Sequence, residues 1–240
     1  MLHALVHAMA ATAVPPGFTE VGNVPLLRHL ANQSVELIWL PTSLILDGSP
    51  LEVGGNITVA GAPGASLDAG GLSRVIILHD EAALTVRGID LLNGISPVGG
   101  DGGCLLLGTN TALLLDRSTL SACSATRGGS IFAKSRSVVE MRATTIRNAT
   151  ARAPAGPPTR AHGGAVYLAS SAHMVMSEGS LIEDVLVISD GDAAFGGGVY
   201  LGGTLEIIDS SITDATAQSE AWLAYGAGVS MANALQYTPL

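Results

Sequence analysis

The sequence predicts an all-β fold, a right-handed parallel β-helix with three short strands per coil and a short helix capping its N-terminal end. Three observations carry this expectation: a recurring glycine pair, apolar columns with a period of two behind each pair, and no sustained 3.6-residue period through the repeats. Five segments open on the pair or its relic: GGCLLL at Gly102, GGSIFA at Gly128, GGAVYL at Gly163, GGGVYL at Gly196 and GAGVSM at Gly226. Three places on stand Leu105, Ile131, Val166, Val199 and Val229, and five places on stand Leu107, Ala133, Leu168, Leu201 and Met231. Alternate residues share one face of a strand, so both columns point inward.

The second strand of each complete coil carries Leu113 and Leu115, Val139 and Met141, Met174 and Met176, and Leu205 and Ile207. The third carries Leu120, Ile146, Ile182 and Ile212 within STLSAC, TTIRNA, SLIEDV and SSITDA, each behind a Ser or Thr. One coil cannot bury its own inward row, but coils stacked about 4.8 Å apart can. The glycine pair then serves a corner, where positive φ or close approach of the next coil excludes a Cβ.

Looser coils precede these, over Ser73 to Gly94 and over the runs Val35 to Leu46 and Ile57 to Leu67. Upstream, VPLLRHLA from Val24 to Ala31 places Leu26, Leu27 and Leu30 at helical spacing. We expect a helix there, covering strand edges that would otherwise invite aggregation. The expected organisation is a leader or disordered N-terminus over residues 1–23 and a single β-helix domain over residues 24–240. Four longer segments, Ile95 to Asp101, Ala149 to His162, Leu186 to Phe195 and Thr216 to Tyr225, all fall between a third strand and the next glycine pair. They are expected to project from one edge of the stack, with the Pro-rich Ala149 to His162 mobile.

Composition narrows function. Eleven basic against twenty acidic residues give a net charge of −9, which repels phosphate backbones and disfavours nucleic acid as a partner. No apolar run reaches the roughly 18 residues of a membrane-spanning helix. Residues 1–16 lack the basic start of an ordinary secretory signal. Cys104 and Cys123 have no metal-ligand spacing and align with columns of small residues, so both are expected as buried thiols, with an intracoil disulfide as the alternative. No cofactor motif is present.

Residues Asn56 to Met231 resemble the β-helix repeats of the pectin-lyase-like superfamily, and most closely the non-enzymatic repeats of polymorphic outer-membrane proteins and related adhesins. GGAVYL at Gly163 and GGSIFA at Gly128 match the Gly-Gly-Ala-Ile type motif of those repeats. Their second, Phe-x-x-Asn type motif is degenerate here: Asn93, Asn148, Asp184 and Asp214 stand near the asparagine, without the phenylalanine. The resemblance implies an extracellular or cell-surface domain for adhesion or glycan binding, without catalysis. A polysaccharide lyase or hydrolase of the same fold is the alternative, and a structural spacer or fragment of a larger surface protein is another.

Candidate sites follow from the columns. Four places after each pair stand Leu106, Phe132, Tyr167, Tyr200 and Ser230, outward by parity. Phe132, Tyr167 and Tyr200 would form an exposed aromatic ladder suited to a sugar or a partner surface, and with Trp222 they are the candidate ligand-binding residues. A purely structural ladder is the competing reading. Asp190 and Asp192 are the weak candidates for a metal, set against a solvated acidic loop; the six histidines share no ligand spacing. The last repeat, from Gly226, is short, and self-association through this C-terminal coil is expected.

Overall fold

The computed structural model describes residues 13–33, 35–155, 159–219 and 223–231. The coil that opens at Gly163 shows the plan. Val166–Leu168, His173–Ser177 and Leu181–Glu183 are its three expected strands, and Val185–Ser189 and Ala193–Phe195 are two more. Each strand pairs with its counterparts in the coils before and after, in parallel and in register: Ile131 with Val166 with Val199, Val139 with Met174 with Leu205, Ile146 with Ile182 with Ile212. Stacking builds an eight-stranded sheet from Thr19–Glu20 to Thr204–Ile207. Two seven-stranded sheets run from Leu51–Val53 to Val229–Met231 and from Leu44–Ile45 to Ser211–Ile212. The chain is therefore a parallel β-solenoid with an N-terminal helix.

The inward columns are the core. Leu105, Leu107, Ile131, Val166, Leu168, Val139, Met141, Met174, Met176, Ile146 and Ile182 are fully buried and belong to one continuous apolar cluster. Because the same face of every strand meets the same face of the next, aliphatic side chains stack on themselves along the solenoid.

Corners need special backbone. The first glycine of each pair has φ between +59° and +66°. The second has a different reason. A Cβ on Gly103, Gly129, Gly164 or Gly197 would lie 2.0–2.1 Å from the carbonyl oxygen of the matching residue one coil on. After the third strand, Asn93, Ala122, Asn148, Asp184 and Asp214 all take φ near +50°. This is the degenerate asparagine position: a single left-handed residue, which Asn and Asp tolerate best.

The Ser or Thr before each third strand also has a cause. Ser118, Thr144 and Ser180 are buried, and each hydroxyl accepts a backbone N–H from the coil before: Ile89 to Ser118, Ser118 to Thr144, Thr144 to Ser180, and Ser180 in turn to Ser210. At this bend the hydroxyls satisfy the N–H groups of Ile89, Ser118 and Thr144, which would otherwise be buried unpaired, while Ser180 N–H also donates to Ser177 O.

Three of the four segments expected to project as loops instead contain paired strands, whereas Ile95 to Asp101 joins the stack only through isolated bridges at its two ends. Ser124–Ala125, Thr150–Ala153, Val185–Ser189 and Ala215–Ser219 form a four-stranded sheet; Arg160–His162, Ala193–Phe195 and Leu223–Tyr225 form a three-stranded one. Thus the later coils hold five strands, and most of the Pro-rich segment expected to be mobile is built into the stack. Between these two sheets lies a small core of its own, made by Ala151, Ala153, Ala161, Val187 and Ala194. Alanine lets the two backbones approach, which explains why longer side chains are missing here.

At the N-terminal end the helix spans Val24–Asn32, with the Asn23 side chain accepting from Leu26 N–H at 2.9 Å and Pro25 in its first turn. Leu27 and Ala31 are its buried face, while Leu26 is about one-third exposed, at 36%. The Arg28 guanidinium donates to Pro50 O, Ser49 O and Asp47 Oδ1, tying the helix to the turn before the edge strand Leu51–Val53. The stack also reaches back before the helix. Thr19–Glu20 pairs with Ile38 and Trp39, and Val21 is buried, so part of the presumed leader belongs to the fold.

The cysteines are not thiols. Cys104 and Cys123 form a disulfide with Cα atoms 5.4 Å apart. Their columns had been read correctly as small and buried, but the two columns face each other across one coil, and this coil has a sulfur on both sides. In the coil beneath, Gly94 makes room, since a Cβ there would lie 2.7 Å from Cys104 Sγ.

Two outcomes follow. Val166→Asp places an unpaired charge in the inward column and should cost upward of about 3 kcal/mol in urea unfolding. Val138→Asp, on the exposed face of its strand, should cost about 0.5 kcal/mol or less; equal costs would mean that the parity is wrong. Replacing Cys104 and Cys123 together by Ser should lower stability by about 2–4 kcal/mol, and the native chain unfolded without reductant should show no reactive thiol.

Candidate functional site

The three ladder residues called from sequence are brought together. Leu106, Phe132, Tyr167, Tyr200 and Ser230 pair rung by rung. Phe132 stacks on Tyr167 with centroids 4.7 Å apart and planes 8° from parallel, and Tyr167 stacks on Tyr200 at 4.9 Å and 16°. The expectation of a flat exposed stripe needs correction, however. The rings spend their faces on one another, and Phe132 is only 6% exposed. Trp222 lies outside the described residues.

A second ladder stands beside the first. The residue just before each glycine pair is Asp101, Arg127, His162, Phe195 and Tyr225, and these too are in register from coil to coil. His162 stacks on Phe195 at 5.1 Å, and Phe195 on Tyr225 at 5.2 Å, both within 9° of parallel. The two ladders meet edge to face: His162 lies 4.6 Å from Tyr200 at 74°, and Phe195 lies 6.3 Å from Tyr200 at 72°. Outward side chains on both sides of the glycine corner thus converge, so the corner is re-entrant and forms a furrow along the stack.

Charge sits at the early end of the furrow. Arg127 donates from Nε and a terminal nitrogen to the two carboxylate oxygens of Asp101, at 2.6 and 2.8 Å. Its guanidinium also lies 5.1 Å from the centre of Phe132 and 5.6 Å from that of Tyr167. Such a pairing of cation and ring face covers the lower rungs.

Further along, the furrow opens. Ser230 takes the rung after Tyr200, so among the described residues no ring stacks on the far face of Tyr200. A groove of about 740 Å³ begins there, lined by Tyr200, Phe195, Tyr225, His162, Arg160 and Asp192 among others. Arg160 Nε donates to Asp192 Oδ2 at 2.7 Å.

Two groups are tuned by this setting. Burial, with the positive charges of Arg127 and Arg160, lowers the His162 pKa to about 4, against the pull of a backbone hydrogen bond with Arg160. His162 is therefore a neutral ring at physiological pH. Burial and the adjacent Tyr167 raise the Tyr200 phenol above its usual range, with Arg160 opposing.

The weak metal candidates do not meet as a pair of free carboxylates. Asp190 accepts two bonds from Arg152, at 2.9 and 2.7 Å, and Asp192 accepts from Arg160. Both arginines come from the preceding coil, a proximity that stacking creates and linear sequence hides. Among the described residues no group of three or more His, Cys, Asp or Glu is placed to hold a metal ion. Of the histidines, His79 meets Glu52 at 3.0 Å and His173 meets Thr204 at 2.6 Å, each on its own.

Sequence reasoning missed the His162, Phe195 and Tyr225 column, although the signal was present. Three of the four inserted segments end on a ring, always one place before the glycine pair. No protein-family model, curated protein or solved structure matches the chain.

The buried His162 has a pH signature. Its pKa is lower folded than unfolded, so between about pH 6.5 and about pH 4 the unfolded chain takes up a proton that the folded chain refuses. Stability should fall across that window by an amount on the order of 2–3 kcal/mol. His162→Phe keeps a ring and removes the titration; if denaturant midpoints of the two proteins fall equally between pH 7 and pH 4, His162 is not buried as described.

Proposed function

We propose that this protein is a non-catalytic β-helix of the extracellular or cell-surface space that binds glycan along the re-entrant aromatic corner. The observation that carries the reading is a concentration of rings. The chain has only nine aromatic residues, and Phe132, Tyr167, Tyr200, Phe195 and Tyr225 all stand on this one corner. Tyrosine offers an apolar ring and a polar tip, the two things a sugar ring contacts. The Cys104–Cys123 disulfide supports an oxidising compartment, and the likeness to adhesin-type repeats of the pectin-lyase-like superfamily points the same way. Against a lyase or hydrolase stands the pairing of Asp190 and Asp192 with arginines, which favours the ionised carboxylate in each and disfavours a general acid.

One observation favours a structural spacer in part of the corner. Phe132 and Tyr167 have their faces covered by each other and by Arg127, so they serve the stack. Binding is therefore assigned to the later rungs, Tyr200, Phe195 and Tyr225.

The test is a glycan array probed with the purified chain, alongside a Tyr200→Ser, Tyr225→Ser double variant. The reading expects binding that the variant loses while its thermal midpoint stays within a few degrees. Silence from the native chain across the array would favour the spacer. Release of reducing ends from a polysaccharide panel would move the assignment to the enzyme class.

A further inference from the structure

We infer that the rung above Tyr200, where Ser230 brings no ring, is a subsite for one neutral pyranose ring, an assignment that rests on the glycan-binding reading and narrows it. The geometry is that of an interrupted series. Rings recur in the outward column at 4.7 and 4.9 Å, from Phe132 to Tyr167 to Tyr200. The next residue in register is Ser230, which has no ring. In the neighbouring column the series runs one coil further, through Phe195 to Tyr225. Among the described residues the corner therefore has a floor, the face of Tyr200 on which no ring stacks, and a side wall of Phe195 and Tyr225, with only the small Ser230 side chain on the next rung.

A flat ring entering this place would stack on Tyr200 at the separation the ladder already uses, which is ordinary for stacked rings. Its edge would meet the wall as Tyr200 itself meets His162 and Phe195. A pyranose supplies the flat apolar face, and its hydroxyls supply donors and acceptors around the rim. Arg160 and Asp192 line the same groove, are bonded to each other and are partly exposed, at 55% and 31% of their side chains. Arginine offers donors and aspartate acceptors, together matching hydroxyls that are both.

Charge selects among sugars. The Arg160–Asp192 pair carries no net charge, and the whole chain carries −9. A uronate or sulfated sugar would find no unpaired arginine or lysine among the described lining residues and would approach a repelling surface. The occupant is thus a neutral pyranose, at the end or along the edge of a longer chain.

The test adds the missing rung. Ser230→Tyr should close the subsite with a ring, leaving the thermal midpoint unchanged or higher because the ladder gains a stacked partner. Native and variant chains would be titrated with neutral gluco- and manno-oligosaccharides and with an oligogalacturonate, by calorimetry and by saturation-transfer NMR. We expect a neutral oligosaccharide to bind the native chain and to lose at least about tenfold in affinity on Ser230→Tyr. Asp192→Asn should weaken it by a smaller factor. Should Ser230→Tyr not fold, Tyr200→Ala removes the floor and carries the same expectation. Undiminished binding to Ser230→Tyr overturns the subsite while glycan binding elsewhere on the corner stands. Tighter binding of the oligogalacturonate overturns the neutral assignment. If the native chain binds no member of the panel and none of the array, the glycan reading itself falls and takes the subsite with it.

Discussion

Everything in this fold depends on how closely one coil can lie on the next at the glycine corner. At the second glycine of each pair a carbonyl oxygen from the following coil occupies the space where a Cβ would be, about 2 Å away. No other residue fits without pushing the coils apart. Once that contact is made, the strands on either side have no freedom of register, because the corner fixes both where a strand starts and which face turns inward. The buried columns, the hydroxyl ladder at Ser118, Thr144 and Ser180, and the two ring ladders are consequences of one repeated alignment.

The parts of the molecule legible from sequence were those that this alignment repeats. Glycine pairs and period-two apolar columns survive unequal repeat lengths, so the three principal strands and their core residues could be read directly. The fourth and fifth strands could not. Their inward residues are mostly alanine, which marks neither a core nor a loop, and their connections differ in length from coil to coil. The disulfide stood only as the alternative to two buried thiols, for a related reason. Alignment of repeats reveals what stacks along the axis, whereas Cys104 and Cys123 oppose each other across a single coil. Ion pairing of Asp190 and Asp192 was hidden because Arg152 and Arg160 lie one coil earlier, beyond the range of local reading. The first ring ladder was legible; its depth was not, since parity gives the side a residue faces and says nothing of how its neighbours cover it.

The furrow is a product of accommodation between two sheets. In the early coils the position before the glycine pair holds Asp101 and Arg127, and their ion pair shields the base of the ladder. Later it holds His162, Phe195 and Tyr225, and the same place becomes aromatic. The change coincides with the added alanine-lined lobe, whose three-stranded sheet ends in these rings. Growth of the coil on one side thus raised a wall beside the ladder. A neutral His162 belongs to that wall because burial, and then the positive charges of Arg127 and Arg160, disfavour an imidazolium there.

The disulfide has a mechanical meaning for a chain pulled from its two ends. A parallel solenoid under tension gives way coil by coil, each released coil lengthening the molecule by its full contour. Residues between Cys104 and Cys123 are withheld from that extension, because load passes through the sulfur bridge and bypasses them. With a separation of 19 residues and about 3.4 Å of reach per residue, roughly 60 Å of slack is locked away. Force would peel the neighbouring coils while this loop stayed closed, so reducing the disulfide would let a loaded chain extend further.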